Sequence, residues 1–228
     1  MNTQFMKLVK ELNIELDQDK MDMFEMYYEH LVAWNSKMNL TAITDKDEVY
    51  IKHFYDSLCF SKICTLSNET ILDVGSGAGF PSIPLLIAFP NLKVTIIDAQ
   101  LKRIKFLESL LEKLHIKAKL IHGRAEDFSF KNHFDIVTAR AVSNLQMLSE
   151  LCIPFVRIGG NFIALKGPNY EEELRQSENA INTLGGKLEQ IITYEFDDQY
   201  RSLLLIRKIE KTKSIYPRKF SKIKNSPL

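Results

Sequence analysis

Ile71-Leu72-Asp73-Val74-Gly75-Ser76-Gly77-Ala78-Gly79-Phe80-Pro81 constrains the fold more than any other stretch of this 228-residue chain. An apolar run ending in an acid reads as a buried strand. The alternating glycines read as a tight turn, and the aromatic, proline and apolar residues after them as the first turn of a helix. Glycine tolerates the sharp bend and lets a ligand lie against bare backbone. The helix N-terminus beyond it offers unpaired N–H groups and partial positive charge to an anionic group. Such a strand, turn and helix form the entrance of a nucleotide-type cofactor site.

The spacing argues about which cofactor. A dinucleotide fingerprint is G-x-G-x-x-G, with a third small residue under the pyrophosphate. Here the third glycine comes one position early and Phe80 stands where the last small residue belongs. A bulky ring suits a smaller ligand without a pyrophosphate, such as S-adenosyl-L-methionine. No Gly-Lys-Ser/Thr follows, so a phosphate-binding P-loop is excluded. Gly75, Gly77 and Gly79 resemble the G-x-G-x-G of Rossmann-like methyltransferases, with Phe80 against the amino-acid end of the ligand. The next strand, Lys93 to Asp98, ends in an acid nineteen residues beyond Gly79. That is the offset at which a carboxylate accepts from ribose hydroxyls.

From about residue 69 the pattern alternates. Strands are expected at 70–74, 93–98, 117–122, 134–139, 161–166, 188–196 and 202–209, with helices at 81–89, 101–114, 144–156 and 170–184. Alternation of this kind argues for an α/β fold, a parallel sheet with helices on both faces. The last two strands are joined by a turn at Phe196–Arg201 and must pair antiparallel. The expected architecture is a Rossmann-like, mostly parallel seven-stranded sheet with an antiparallel last strand. Residues 1–65 carry no strand pattern. Met23, Tyr27, Leu31 and Trp34 fall on one stripe of a helix over Asp19–Ser36, with Phe24 and Tyr28 beside it. A second helix is expected from Thr44, with Asp47 as its capping partner, running through Phe60. The division is therefore a helical cap (1–65), a core (66–210) and a basic tail (211–228).

Net charge is only +1, but its distribution is uneven. Lys211, Lys213, Arg218, Lys219, Lys222 and Lys224 occupy the tail without a single acid. Tyr216 and Phe220 among them tilt the tail from a merely solvated end toward RNA. Cys59, Cys64 and Cys152 form no C-x-x-C pair, so neither a disulfide frame nor a metal site is expected. No membrane span or signal peptide is read, and the cytoplasm is the expected compartment.

In open α/β sheets the ligand sits beyond the carboxyl ends of the strands. Ala125 and Glu126, after the third strand, fall where an adenine ring would rest. Arg140 ends the fourth strand, where a reacting group enters, and an arginine there suits a carboxylate or an RNA phosphate. Glu126 also reads as a turn acid, and Arg140 as a structural ion-pair partner.

Several motifs together give the chain a family likeness. They are Trp34-Asn35-Ser36-Lys37-Met38-Asn39-Leu40-Thr41-Ala42-Ile43, His53-Phe54-Tyr55-Asp56-Ser57-Leu58, the glycine loop, Lys102-Arg103, Gly123-Arg124-Ala125-Glu126, Ala139-Arg140-Ala141, Leu165-Lys166-Gly167, Tyr216-Pro217-Arg218 and the final Pro227-Leu228. Over nearly its whole length the chain resembles the bacterial small-subunit ribosomal RNA guanine-N7 methyltransferases, the RsmG or glucose-inhibited division protein B family. Two departures stand out. Ser82 replaces a glycine usual after Phe-Pro, and Ser221 and Ile223 replace a glycine and a proline in the tail signature.

The resemblance implies S-adenosyl-L-methionine as methyl donor, with 16S rRNA of the small ribosomal subunit as partner. The acceptor would be N7 of a guanosine in the decoding-region loop. Asn39, His53, Asp56 and Lys166 become candidates for the RNA-facing rim, with Arg140 closing the site. His53 and Asp56, three apart on a helix, share a face. A monomer is the default expectation. N7 already presents a lone pair, so no strong base is needed. Accordingly the chain carries no Asn/Asp-Pro-Pro-aromatic motif for exocyclic amines, which Gly167-Pro168-Asn169-Tyr170 echoes only superficially, and no Pro-Cys nucleophile. Two rivals are a methyltransferase of another substrate and a non-catalytic ribosome-assembly factor.

Overall fold

A computed structural model describes residues 2–140 and 143–228. Ala141, part of one family motif, lies outside them. The chain begins with α1 (Thr3–Glu11) and α2 (Gln18–Met38). Asn2 and Asp17 cap them by accepting from Phe5 N–H and Lys20 N–H, so orphan donors at both N-termini are satisfied. Asn39 ends α2 in the left-handed region at φ 49°, a conformation asparagine tolerates better than most residues.

The second helical stretch starts one residue later than expected, and its cap is not the predicted pair. Asp45 accepts from Glu48 N–H at 3.0 Å and opens α3 (Lys46–Val49). A π-helical turn over Tyr50–Tyr55 follows, then α4 (Asp56–Leu58) and a 3₁₀ turn at Cys59–Lys62. A π turn inserts an extra residue per turn and re-aims side chains, and it recurs at functional sites. Here it carries His53.

The core alternates β1 (Thr70–Val74), α5 (Ser82–Ala88), β2 (Lys93–Asp98), α6 (Leu101–Leu114), β3 (Lys119–His122), β4 (Phe134–Arg140), α7 (Leu145–Cys152), β5 (Val156–Lys166), α8 (Tyr170–Thr183), β6 (Gly186–Phe196) and β7 (Gln199–Lys208). The seven strands order as β3-β2-β1-β4-β5-β7-β6. β1 to β5 run parallel, and β7 is antiparallel to both its neighbours. Asp197 and Asp198 both take positive φ (48° and 56°) in the two-residue link between β6 and β7. That twist matches the flanking strands, which explains a hairpin tighter than the expected six-residue turn.

Other boundaries also moved. The helix expected over 144–156 stops at Cys152, where a 3₁₀ turn at Ile153–Phe155 holds Pro154. Proline lacks the N–H that a longer helix would need. β5 then begins five residues before the expected 161, and β3 two residues after the expected 117.

Successive strand residues feed opposite layers of core. Ile71, Ile96, Ile136 and Ile163 join one apolar cluster with α2, α5, α6 and the π turn. Leu72, Ile97, Val137 and Phe162 join the other with α7 and α8. In α2 the fully buried stripe is Met21, Phe24, Tyr27 and Leu31, while Met23, Tyr28 and Trp34 are only half-buried. Tyr27 stacks on Phe80 at 5.5 Å between ring centroids, tying the helical segment to the glycine loop. The last segment is docked: α9 (Phe220–Asn225) buries Ile223, and Arg218 binds the buried Glu150 through its backbone N–H, Nε and Nη2.

Candidate active site

Two clefts open at the carboxyl ends of the strands and share a wall. The first, about 440 Å³, is lined by Gly75 to Ala78, Phe80, Asp98, Arg103, Ala125, Glu126, His53, Arg140 and Phe220, among others. The second, about 540 Å³, is lined by Lys52, Asp56, Lys166, Glu173, Arg201 and again His53 and Arg140.

Chain reversal after β1 requires positive φ at Gly75 (74°), Gly77 (62°) and Gly79 (98°), a region that favours glycine. The glycines are not equivalent. A Cβ on Gly77 would meet nothing within 4 Å, so bare backbone there faces open cleft. A Cβ on Gly79 would strike Ile83 Cγ1 at 2.7 Å and the Tyr27 hydroxyl at 2.8 Å. Gly79 is therefore a packing glycine that lets α2 and α5 close on the loop, and it does not line the cleft.

The first cleft fits an adenosine ligand bearing a charged amino-acid end. Ser76 lines it, and its Oγ is buried without a hydrogen-bond partner. Such an orphan hydroxyl is costly unless a ligand satisfies it. Asp98, 3% exposed at the tip of β2, accepts from Gln100 N–H at 2.8 Å and from Arg103 at 3.3 Å. These contacts orient its carboxylate and leave acceptor capacity for ribose hydroxyls. Gly123 adds a second patch of bare backbone, and Ala125 with Glu126 forms the far wall in a short 3₁₀ turn.

At the shared wall, Arg140 places its guanidinium carbon 4.6 Å from the Phe80 ring centroid, and the His53 ring centroid is also 4.6 Å away. His53 Nδ1 lies 3.0 Å from the Lys52 carbonyl oxygen, which only accepts, so Nδ1 carries the proton. Nε2 is then an acceptor for the Thr41 hydroxyl at 2.8 Å. Burial, then the nearby Arg140 charge, lowers the His53 pKa to about 3, so the ring stays neutral. Asp56 is a buried hub. Oδ2 accepts from Arg140 Nη1 at 3.2 Å, and Oδ1 accepts from the Tyr194 hydroxyl at 2.9 Å, with Arg201 Nε 3.7 Å away.

Lys166, at the end of β5, faces the second cleft only, held by the Ser143 carbonyl and by Glu173 at 2.7 Å. Asn39 joins neither cleft. It is exposed and serves as the left-handed end of α2, while Leu40 and Thr41 after it line the first cleft.

Several contributors carried no role in the sequence. Thr41 sat unassigned within a quoted motif. Tyr194 and Arg201 reach Asp56 from the terminal hairpin, where they stand among other charged and polar residues such as Lys187, Glu189, Glu195 and Arg207 and carry no local signal that sets them apart. Asp73 is the least visible. It is fully buried under the loop, Ser82 Oγ donates to its Oδ2 at 2.6 Å, and Oδ1 has no partner. Desolvation raises its pKa to about 7. Ser82, a departure from the family pattern, thus supplies this carboxyl with a side-chain hydrogen bond that glycine could not. Among the described residues no cluster suits a metal ion, and no helix is long and apolar enough to cross a membrane.

Comparison with known proteins agrees with this geometry. A solved S-adenosylmethionine-dependent methyltransferase from Aquifex aeolicus superposes with a TM-score of 0.57 at 16% identity, covering 75% of this chain and 97% of that one. M. jannaschii TYW2, solved in complex with AdoMet, gives 0.58 at 14% identity over 74% and 80%. At such identities the likeness is one of fold. Ribosomal RNA small subunit methyltransferase G of Bacillus cytotoxicus is 50% identical over 95% of this chain and 94% of its own length. Its counterpart in Bacillus thuringiensis strain Al Hakam is 49% identical over the same shares. The family model for rRNA small subunit methyltransferase G, GidB, matches residues 20–203, and the chain belongs to that family.

Proposed function

We propose that the protein transfers a methyl group from S-adenosyl-L-methionine to N7 of a guanosine in the decoding-region loop of 16S rRNA. The observation that carries this reading is the shared wall. His53 and Arg140 line both clefts, so a cofactor pocket opens directly onto a second pocket where Lys52, Arg140, Lys166 and Arg201 outnumber the carboxylates of Asp56 and Glu173. A polyanion suits such a pocket.

Bound S-adenosyl-L-methionine supplies an electrophilic methyl group on a sulfonium centre. Gly75, Ser76 and Gly77 would hold its amino-acid end, Asp98 the ribose, and Ala125 with Glu126 the adenine. Guanine N7 needs no base, so the residues between the clefts act by alignment and charge. A neutral His53 adds no repulsion as the purine becomes cationic. Asp56 sets the direction of Arg140 and contributes a compensating negative charge. In this reading residues 1–65 are a cap that closes the site, 66–210 the catalytic core and 211–228 a docked basic tail. The enzyme works as a cytoplasmic monomer.

The test incubates the protein with methyl-labelled S-adenosyl-L-methionine and small subunits lacking the modification, then maps label by cleavage chemistry specific for N7-methylguanosine. One labelled guanosine in the decoding-region loop is expected. Cofactor binding by calorimetry without transfer to rRNA would overturn the assigned substrate.

A further inference from the structure

A cleft of about 730 Å³ lies at the opposite end of the sheet from the site described above. Its lining includes Thr70, Lys93, Lys119 and Phe134, which are the first residues of β1, β2, β3 and β4. The cofactor cleft uses the far ends of the same strands. β2 alone runs from Lys93 in one to Asp98 in the other, about 17 Å at strand rise. Nothing in methyl transfer requires this end of the fold.

Its chemistry is nevertheless specific. Lys93, Lys117, Lys119, His115 and His133 line it, and no carboxylate does. Lys119 pairs in register with Thr95, and Lys93 stands two residues before Thr95, so both lysines rise from one face of the sheet. None of the three lysines enters an ion pair among the described residues. Beside them Phe130 is 44% exposed. It is buttressed by Phe128 at 5.2 Å and His133 at 5.4 Å, and Lys119 Nζ lies 5.0 Å from its centroid. Unpaired cations interleaved with a braced, exposed aromatic are what a single nucleic-acid strand recognises, phosphates on the lysines and a base on the ring.

We propose that this groove is a second RNA contact, which grips a single-stranded segment of ribosomal RNA remote from the methylated guanosine. The identity of the RNA rests on the function proposed above, whereas the capacity to bind a strand does not. Two readouts separate them. Fluorescence anisotropy of a labelled single-stranded oligoribonucleotide, titrated at several salt concentrations, should show affinity falling at least about tenfold for the triple variant Lys93→Glu, Lys117→Glu, Lys119→Glu. Its log–log salt slope should be shallower by roughly 2, as expected for three lost phosphate contacts to a single strand. Phe130→Ala should lose roughly tenfold in affinity with the slope unchanged, because stacking releases no counterions. With unmodified small subunits, both variants should raise KM by a similar factor and leave kcat and cofactor affinity by calorimetry unaltered. Unchanged anisotropy and KM in variants that melt like the wild type would overturn the proposal. So would a KM effect on intact subunits with no change on the oligoribonucleotide, which would assign the groove to a ribosomal protein. Loss of methylation by the wild type itself would sink the assigned reaction and leave the anisotropy result standing.

Discussion

Arg140 and Asp56 meet at the junction of the two clefts, with Nη1 of one 3.2 Å from Oδ2 of the other and the Asp56 side chain 5% exposed. They stand 84 positions apart, Asp56 opening α4 just after the π turn and Arg140 ending β4. The carboxylate also accepts from the Tyr194 hydroxyl and lies near Arg201, so it ties together two cations that line the second cleft, Arg140 and Arg201, and a tyrosine of the terminal hairpin. Asp56→Ala should lower the single-turnover methylation rate by about 100-fold, because a small misplacement of aligning groups has that effect. Removing one partner of a buried pair should also cost about 3 kcal/mol in thermal or denaturant unfolding. Asp56→Asn keeps the hydrogen-bonding shape and should fall between. A full single-turnover rate in Asp56→Ala would contradict this role.

Two glycines of one loop should fail in different ways. Gly77→Asp puts a carboxylate into open cleft, so calorimetry should show cofactor binding lost, with a stability change of about 1–3 kcal/mol from the strained φ alone. Gly79→Ala drives a methyl group into Ile83 and Tyr27, at a φ of 98°. It should lower the melting temperature more than Gly77→Asp does. Any protein that remains folded at low temperature should still bind the cofactor. If the two variants showed the reverse ranking, the division into ligand and packing glycines would be wrong.

The parts that sequence made legible are those where one residue type answers one local demand. The alternation of apolar runs and glycine or proline breaks located every strand of the sheet, and the offset from the loop put Asp98 at a strand end that lines the first cleft. Boundaries moved where capping or proline decided them, as at Asp45 and Pro154. Asn39 stands outside both clefts at a left-handed helix end, a place that asks for asparagine on backbone grounds alone. Asp56 was placed correctly on a face with His53, yet its partners Tyr194 and Arg201 could not be read. They come from a hairpin more than a hundred positions away, and only the strand order brings them near. Asp73 looked like an ordinary strand-end acid because nothing local reveals that Ser82 is its hydrogen-bond partner.

Asp73 and His53 predict opposing pH dependences of stability. Asp73 has a folded pKa raised from 3.8 to about 7, so the folded chain holds a proton that the unfolded chain has released across that window. Its contribution is complete below about pH 4 and is lost as pH rises to about 7, at up to ~1.4 kcal/mol per pH unit. His53 is depressed from 6.5 to about 3, so its contribution is present above pH 6.5 and is lost as pH falls. Denaturant unfolding of the apoprotein from pH 4 to 8 should therefore show Asp73→Asn flattening the decline with rising pH, and His53→Gln flattening the decline with falling pH. Parallel curves for wild type and both variants would rule out these protonation states.

The tail's cations should divide into two groups. Arg218 is spent on Glu150, whose side chain is 1% exposed, and Lys219 pairs with Asp127 at 2.6 Å. Tyr216 and Ile223 pack into the apolar cluster around α7 and α8, and Phe220 reaches the wall of the cofactor cleft. Arg218→Ala leaves a buried carboxylate without its partner and should destabilise the fold by about 3 kcal/mol. It should also weaken cofactor binding by loosening Phe220. Lys222 and Lys224 are exposed and make no ion pair among the described residues. Replacing both by alanine should leave the melting temperature unchanged. If they touch RNA phosphates, the salt slope of RNA affinity should become shallower by roughly 0.7 for each. An unchanged slope would leave Lys222 and Lys224 merely solvated, at the end of a tail that clamps the cofactor site.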